Sequence, residues 1–262
     1  MRTSTLLLSA LGATVFAAPT LPVLNPDAAL PGSIDTVSEY FNMLASKVQA
    51  SKLMSLAPVC DLSKAQLPVL TGATTLPPPT AGFVLKHVAL GRGTQNYTCD
   101  VNNATAVPAA NGAIATLFNA SCIAATYPDL AKQLSKVALQ FNLTGDETKM
   151  SPSNLAVTGS HWFPNLTTPF FNLDVSRDLK LGQAACAKNN SAPAPADAAK
   201  GQQGEPAVPW LKLVTKAGTT GDLQEVYRVE TAGGSAPATC KGMPASFTVQ
   251  YAAEYWFYAG KK

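Results

Sequence analysis

The stretch SFTVQYAAEYWFY, residues 246–258, decides how this chain is read. Phe247, Val249, Tyr251, Ala253, Tyr255 and Phe257 fall on one face of an extended segment, with Thr248, Gln250 and Glu254 on the other. That two-residue period is the mark of a strand with a buried face. A second such run, Leu223 to Thr231, precedes it across a turn-rich connection holding Gly233, Gly234, Pro237 and Cys240. The two runs read as an antiparallel pair in the middle of a sheet. Trp256 and Tyr258 point away from the core face, as Trp210 does on its own strand. They form either an exposed aromatic platform or a second buried face under a helix, and burial is the expectation.

Working outward, further strands are expected at Phe83–Leu90, Thr94–Cys99, Ile114–Asn119, Asn154–Phe163, Pro169–Val175 and Val208–Thr215. Gly91-Arg92-Gly93 reads as a tight turn between the first two. Val137 to Leu143 fits a strand or a helix, and Pro128-Asp129 opens a short helical turn. Near the N-terminus, Ser33 caps an amphipathic helix whose apolar stripe is Ile34, Val37, Phe41, Leu44 and Val48. Leu67 to Pro79 is a proline-rich connection, and 184–207 reads as a flexible loop from its Ala, Pro, Lys, Gln and Gly content. Strands do not alternate with long helices, so a parallel nucleotide-binding sheet is disfavoured. The expected fold is mainly β: an antiparallel sandwich or barrel with an N-terminal amphipathic helix and a short second helix.

Composition bounds the setting. At 47% hydrophobic and 13% charged over 262 residues, the chain can bury a large core. A net charge of +3 without basic runs gives no sign of nucleic acid or an anionic membrane. Arg2 and the apolar run Leu6 to Phe16 read as a secretory leader cleaved after Ala17, too short to span a bilayer. Sequons occur at Asn96, Asn103, Asn119, Asn142, Asn165 and Asn189. Five cysteines without a C-x-x-C pair read as two disulfides and one thiol in an oxidising compartment. The expected organisation is a leader at 1–17, an extension at 18–82 whose helix packs on the main domain, and a β-rich domain at 83–262. The protein is expected to be secreted, either extracellular or associated with the cell wall.

Several motifs then form a set: Gly93-x-Gln95-x-Tyr97-x-Cys99, Gly159-x-His161, and Pro209-Trp210-Leu211-x-Leu213. They continue with Val226-x-Arg228-x-x-Thr231-x-Gly233-Gly234-x-x-Pro237-x-x-Cys240 and Tyr251-x-Ala253-x-Tyr255-x-Phe257-Tyr258. As a set they resemble a secreted domain family of unknown function in filamentous fungi and bacteria, whose fungal members often carry the label malate dehydrogenase. The resemblance implies a Cys99–Cys240 disulfide, because bacterial relatives keep only those two cysteines. Closing about 140 residues, it would contribute roughly 5 kcal/mol in the chain-entropy model. Cys60 would then pair with Cys122, leaving Cys186 free, the alternative being that Cys186 takes the place of either partner. The dehydrogenase label has no chemical support, since no G-x-G-x-x-G turn opens a helix here.

Candidate chemistry is sparse. Of two histidines, His87 reads as packing, while His161 lies in the Gly-x-His motif and is the candidate catalytic or ligand-contact group. Nothing assembles a metal site, and no nucleophile elbow is present. No cofactor is expected. Glu254 is the candidate carboxylate, with Arg228 as its expected ion-pair partner. The chain reads as a non-enzymatic cell-surface or wall-associated binding module, its glycan or small amphipathic ligand held by Gln95, Tyr97, His161 and Arg228. The alternative is an extracellular hydrolase or isomerase with His161 as general base beside Glu254.

Overall fold

In the computed structural model, residues 38–46, 60–70, 75–141, 149–150, 155–175, 177 and 179–260 are described. The expected leader and the sequon at Asn142 lie outside them. Nine strands run β1 Val84–Thr98, β2 Ala109–Asn119, β3 Lys149–Met150, β4 Leu155–Asn165, β5 Thr168–Asn172, β6 Gln183–Ala192, β7 Trp210–Thr215, β8 Leu223–Gly233 and β9 Ser246–Ala259. Their order is β2-β1-β9-β8-β7-β6-β5-β4-β3, and β2 also pairs with β4. That last pairing closes eight antiparallel strands into a barrel, with the short β3 outside the ring. Closure decides between the two expected architectures, and it leaves the ring without a free edge.

β9 sits between β1 and β8, as its sequence suggested. It is longer than an ordinary strand because both its faces are buried. Ala253, Tyr255 and Phe257 point into the lumen with Leu117, Phe171 and Val226. Ala252, Trp256 and Tyr258 face outward and are covered by another layer that includes Leu130, Leu134 and Val137. With the helical residues 38–46 as α1, this second layer is built from α2 Ser121–Thr126, α3 Pro128–Ala131 and α4 Leu134–Ala138, plus the connection that ends at Pro79. Pro128 at the first helical position and Asp129 in the first turn suit the start of α3.

The structure corrects several local expectations. Gly91-Arg92-Gly93 is not a turn but the middle of the continuous strand β1. Gly91 is needed there because a Cβ would lie 2.4 Å from the ring of Tyr255 on the neighbouring strand β9. Arg92 points outward, where its Nε donates to Ala138 O and its Nη2 to Phe141 O, each at 3.1 Å. A cation is favoured against the carbonyls at the end of α4. The segment 184–207, read as a flexible loop, begins as β6, whose Ala184 and Cys186 face the lumen. Small side chains fit that narrow interior, and their composition mimicked a loop. The ambiguous 137–143 stretch takes its helical alternative at its start. Residues 38–46 are helical, but Tyr40 is the buried residue and Phe41 is exposed, so the expected stripe is rotated. The rest of that helix falls outside the described residues.

The proline-rich connection is also not loose. Lys212 and Glu225 form a buried ion pair at 3.0 Å on the outer wall. Lys212 Nζ donates to Pro78 O, Thr80 donates to Glu225 through both N and Oγ1, and Tyr227 Oη donates to Pro77 O. Cys60 is bonded to Cys122 and Cys99 to Cys240. The second bridge spans 141 residues and joins the loop after β1 to the loop before β9. No helix among the described residues is long and apolar enough to cross a membrane.

Candidate ligand site at the barrel mouth

The end of the barrel that carries the Cys99–Cys240 bridge is where β1, β4, β6 and β8 finish and β2, β5, β7 and β9 begin. A cavity of about 460 Å³ opens there into the lumen, reached past the β4–β5 hairpin. An eight-stranded barrel is just wide enough to be filled by side chains or to hold one small ligand. Here both occur: aromatic side chains fill the depth, and the mouth stays open.

His161 of β4 stands in the wall, its ring stacked on Phe171 at 4.3 Å with planes 9° apart. Its Nδ1 lies 2.9 Å from Phe170 O. A carbonyl can only accept, so Nδ1 carries the proton and Nε2 is the bare acceptor. Burial lowers its pKa to about 4, against a smaller raising effect of the Phe170 bond, and nearby Arg228 lowers it further. The ring is therefore neutral across the physiological range and a weak base.

Arg228 of β8 enters the same cavity from the facing wall. Its Nε and Nη2 donate to Pro209 O at 3.2 and 2.9 Å. The expected Arg228–Glu254 ion pair does not form, because Arg228 is in register with Tyr255 and Val229 with Glu254. Glu254 instead lies on the outer face of β9, where its Oε2 accepts from Trp256 Nε1 at 2.8 Å. Burial raises its pKa to about 8. The barrel wall thus separates Glu254 from His161, and the pairing of general base and carboxylate is not assembled.

Gln95 and Tyr97, also expected at the site, lie at the same end of the barrel but do not line the cavity. Tyr97 Oη donates to Gly234 O at 2.8 Å and its ring stacks on Phe247 at 5.5 Å. That contact uses the backbone of Gly234, whose φ of +96° only glycine adopts readily. The Gln95 side chain packs beside the same glycine, with its Nε2 buried and without a partner among the described residues. These two residues shape the wall behind the cavity.

Sequence reasoning missed Lys188 on the rim, and Tyr255, Phe163 and Phe171 as cavity walls. Strand alternation in β6 would have revealed Lys188, had its small residues not read as a loop. Cys186, in the same strand, is buried, and burial pushes its thiol up to about 12. It is inert as a nucleophile at neutral pH. His87 is packed as expected, with Nδ1 2.9 Å from Ser121 Oγ. Asn103, Asn165 and Asn189 are exposed, the last two beside the mouth, while Asn96 and Asn119 are half-buried in strands.

A smaller cavity of about 230 Å³ lies on the outer face, where Ser135 and Trp210 each leave a buried polar atom without a partner among the described residues. Its size and those two atoms suit ordered water. Among the described residues no three His, Cys, Asp or Glu side chains cluster to hold a metal.

Residues 79–259, the barrel from just before β1 to the end of β9, match a model whose description is "Protein of unknown function (DUF3455)". The chain belongs to DUF3455. Searches of curated proteins and of solved structures each return no match. In this DUF3455 chain the family segment holds the whole barrel and every residue of the mouth.

Proposed function

We propose that this protein is a secreted, non-enzymatic glycoprotein at the cell surface or in the cell wall, binding a glycan or small amphipathic ligand in the mouth of its barrel. The leader-like N-terminus, six sequons and two disulfides support secretion. What carries the binding reading is the convergence of His161 and Arg228, from opposite walls, on one partly apolar cavity. Such a concave site with a few polar groups is the ordinary form of a small-molecule site. A hydrolase or isomerase using His161 is the weaker reading, because no Asp or Glu among the described residues lines the cavity and the ring has little basicity.

The test is a binding screen of the mature protein against a glycan array and a panel of small amphipathic compounds, repeated with Leu211→Trp. Leu211 lines the mouth and is half-buried, so the larger ring fills the cavity from its wall. Binding by the native protein that Leu211→Trp abolishes is the expected result. No binding at all, or binding that survives the substitution, removes the mouth as the site.

A further inference from the structure

The charges around the mouth define the ligand more closely. Among the described residues that line the cavity none is acidic, while Arg228 and Lys188 are cationic. Elsewhere this protein surrounds its buried cations with acceptors: Lys212 has Glu225 at 3.0 Å, and Arg92 donates to the carbonyls of Gly93, Ala138, Phe141 and Tyr251. Arg228 has no carboxylate within ion-pair distance among the described residues; its partners are neutral, the carbonyl of Pro209 and the hydroxyl of Tyr255. A half-buried guanidinium without a counter-charge is costly unless something supplies one. Two of its five N–H groups serve Pro209 O and one meets Tyr255, so donors remain for an oxyanion.

The surroundings agree. Burial raises the pKa of Tyr97, Tyr251 and Tyr255 and lowers that of His161, and the positive charge of Arg228 pulls all four downward, so its field reaches across the lumen. Tyr251 and Tyr255 share a hydrogen bond of 2.9 Å between hydroxyls and add polar groups without adding charge. Lys188 is exposed on the rim, where it attracts anions from solution. Phe163, Phe171 and Leu211 make the remaining surface apolar.

On the reading of the mouth as the binding site, we propose that its ligand is a small amphipathic anion. A carboxylate or equivalent oxyanion sits between Arg228 and Lys188, and an apolar body rests against Phe163, Phe171 and Leu211. The anion completes the ion pair that the wall leaves open.

Two fluorescent probes with the same phenyl-naphthylamine skeleton test this: 8-anilinonaphthalene-1-sulfonate, an anion, and uncharged N-phenyl-1-naphthylamine. The native protein should bind the anion about tenfold more tightly at low salt, the amount one half-buried ion pair supplies. Arg228→Gln should reduce that preference toward equality, Lys188→Gln should reduce it several-fold and weaken its salt dependence, and Leu211→Trp should abolish binding of both probes. Equal affinities, or a preference that Arg228→Gln leaves intact, overturn the anion assignment while the mouth stands as the site. If neither probe binds, or Leu211→Trp leaves both bound, the mouth itself is wrong and the anion with it. Should near-ultraviolet circular dichroism show Arg228→Gln unfolded, exposed Lys188→Gln decides alone: an unchanged preference overturns the proposal.

Discussion

The two faces of β9 carry similar side chains and meet different fates. Tyr251, Tyr255 and Phe257 face the lumen, and Trp256 and Tyr258 face outward, yet every one is buried. The outer aromatics are sealed by α2–α4 and by the clamped 76–80 segment, with the nearby cations Lys212 and Arg92 given partners. The lumen is sealed by its own strands except at the mouth, where Arg228 has no acid beside it among the described residues. An aromatic face becomes a binding surface only where the chain supplies no cover. The state of the nearest cation shows which side is which.

The comparison can be broken by substitution. Trp256→Ala should cost about 3–5 kcal/mol, because a sealed layer cannot collapse around the void; chemical denaturation measures it. A loss below about 1 kcal/mol would mean that the outer face is not sealed. Lys212→Met should cost about 3–5 kcal/mol by stranding Glu225. It should also speed proteolysis within 76–80, since Pro78 loses its donor. Unchanged cleavage there would show that the ion pair does not hold the connection down.

pH separates the faces next. Glu254, outside, is raised from 4.5 to about 8, so its contribution to stability is complete below pH 4.5 and declines as pH climbs toward 8. His87 and His161 are lowered from 6.5 to about 4, so theirs is complete above pH 6.5 and lost as pH falls toward 4. Together these three groups should place the stability maximum near pH 6.5, with Glu254 lowering it between there and pH 8 by at most about 1.4 kcal/mol per pH unit. In Glu254→Gln that alkaline decline should disappear while the acid limb stays; a thermal-melt series at stepped pH reads both. The smallest effect belongs to the mouth. Phe163→Ala, on a half-buried ring beside an existing cavity, should cost about 1 kcal/mol while weakening apolar probes more than it lowers the melting midpoint.

Alternation in Ser246–Tyr258 and Leu223–Thr231 was enough to recognise an antiparallel β protein with β9 and β8 adjacent, because side-chain direction along a strand is a local property. Local motifs also carried the expectations of secretion and of His161 as a site residue, on which the proposed function rests. Three things depended on contacts remote in sequence. Closure required β2 to meet β4, and nothing local specifies that pairing. Gly91 and Gly93 looked like a turn because their need for close approach comes from Tyr255 and β2. Glu254 and Arg228 looked like partners because a one-residue difference in register, which sends side chains to opposite faces, is invisible until the strands are paired. The chain alone determined which residues could be buried; only the closed barrel decided which of two buried aromatic faces would keep an opening, since that depends on where distant segments come to rest.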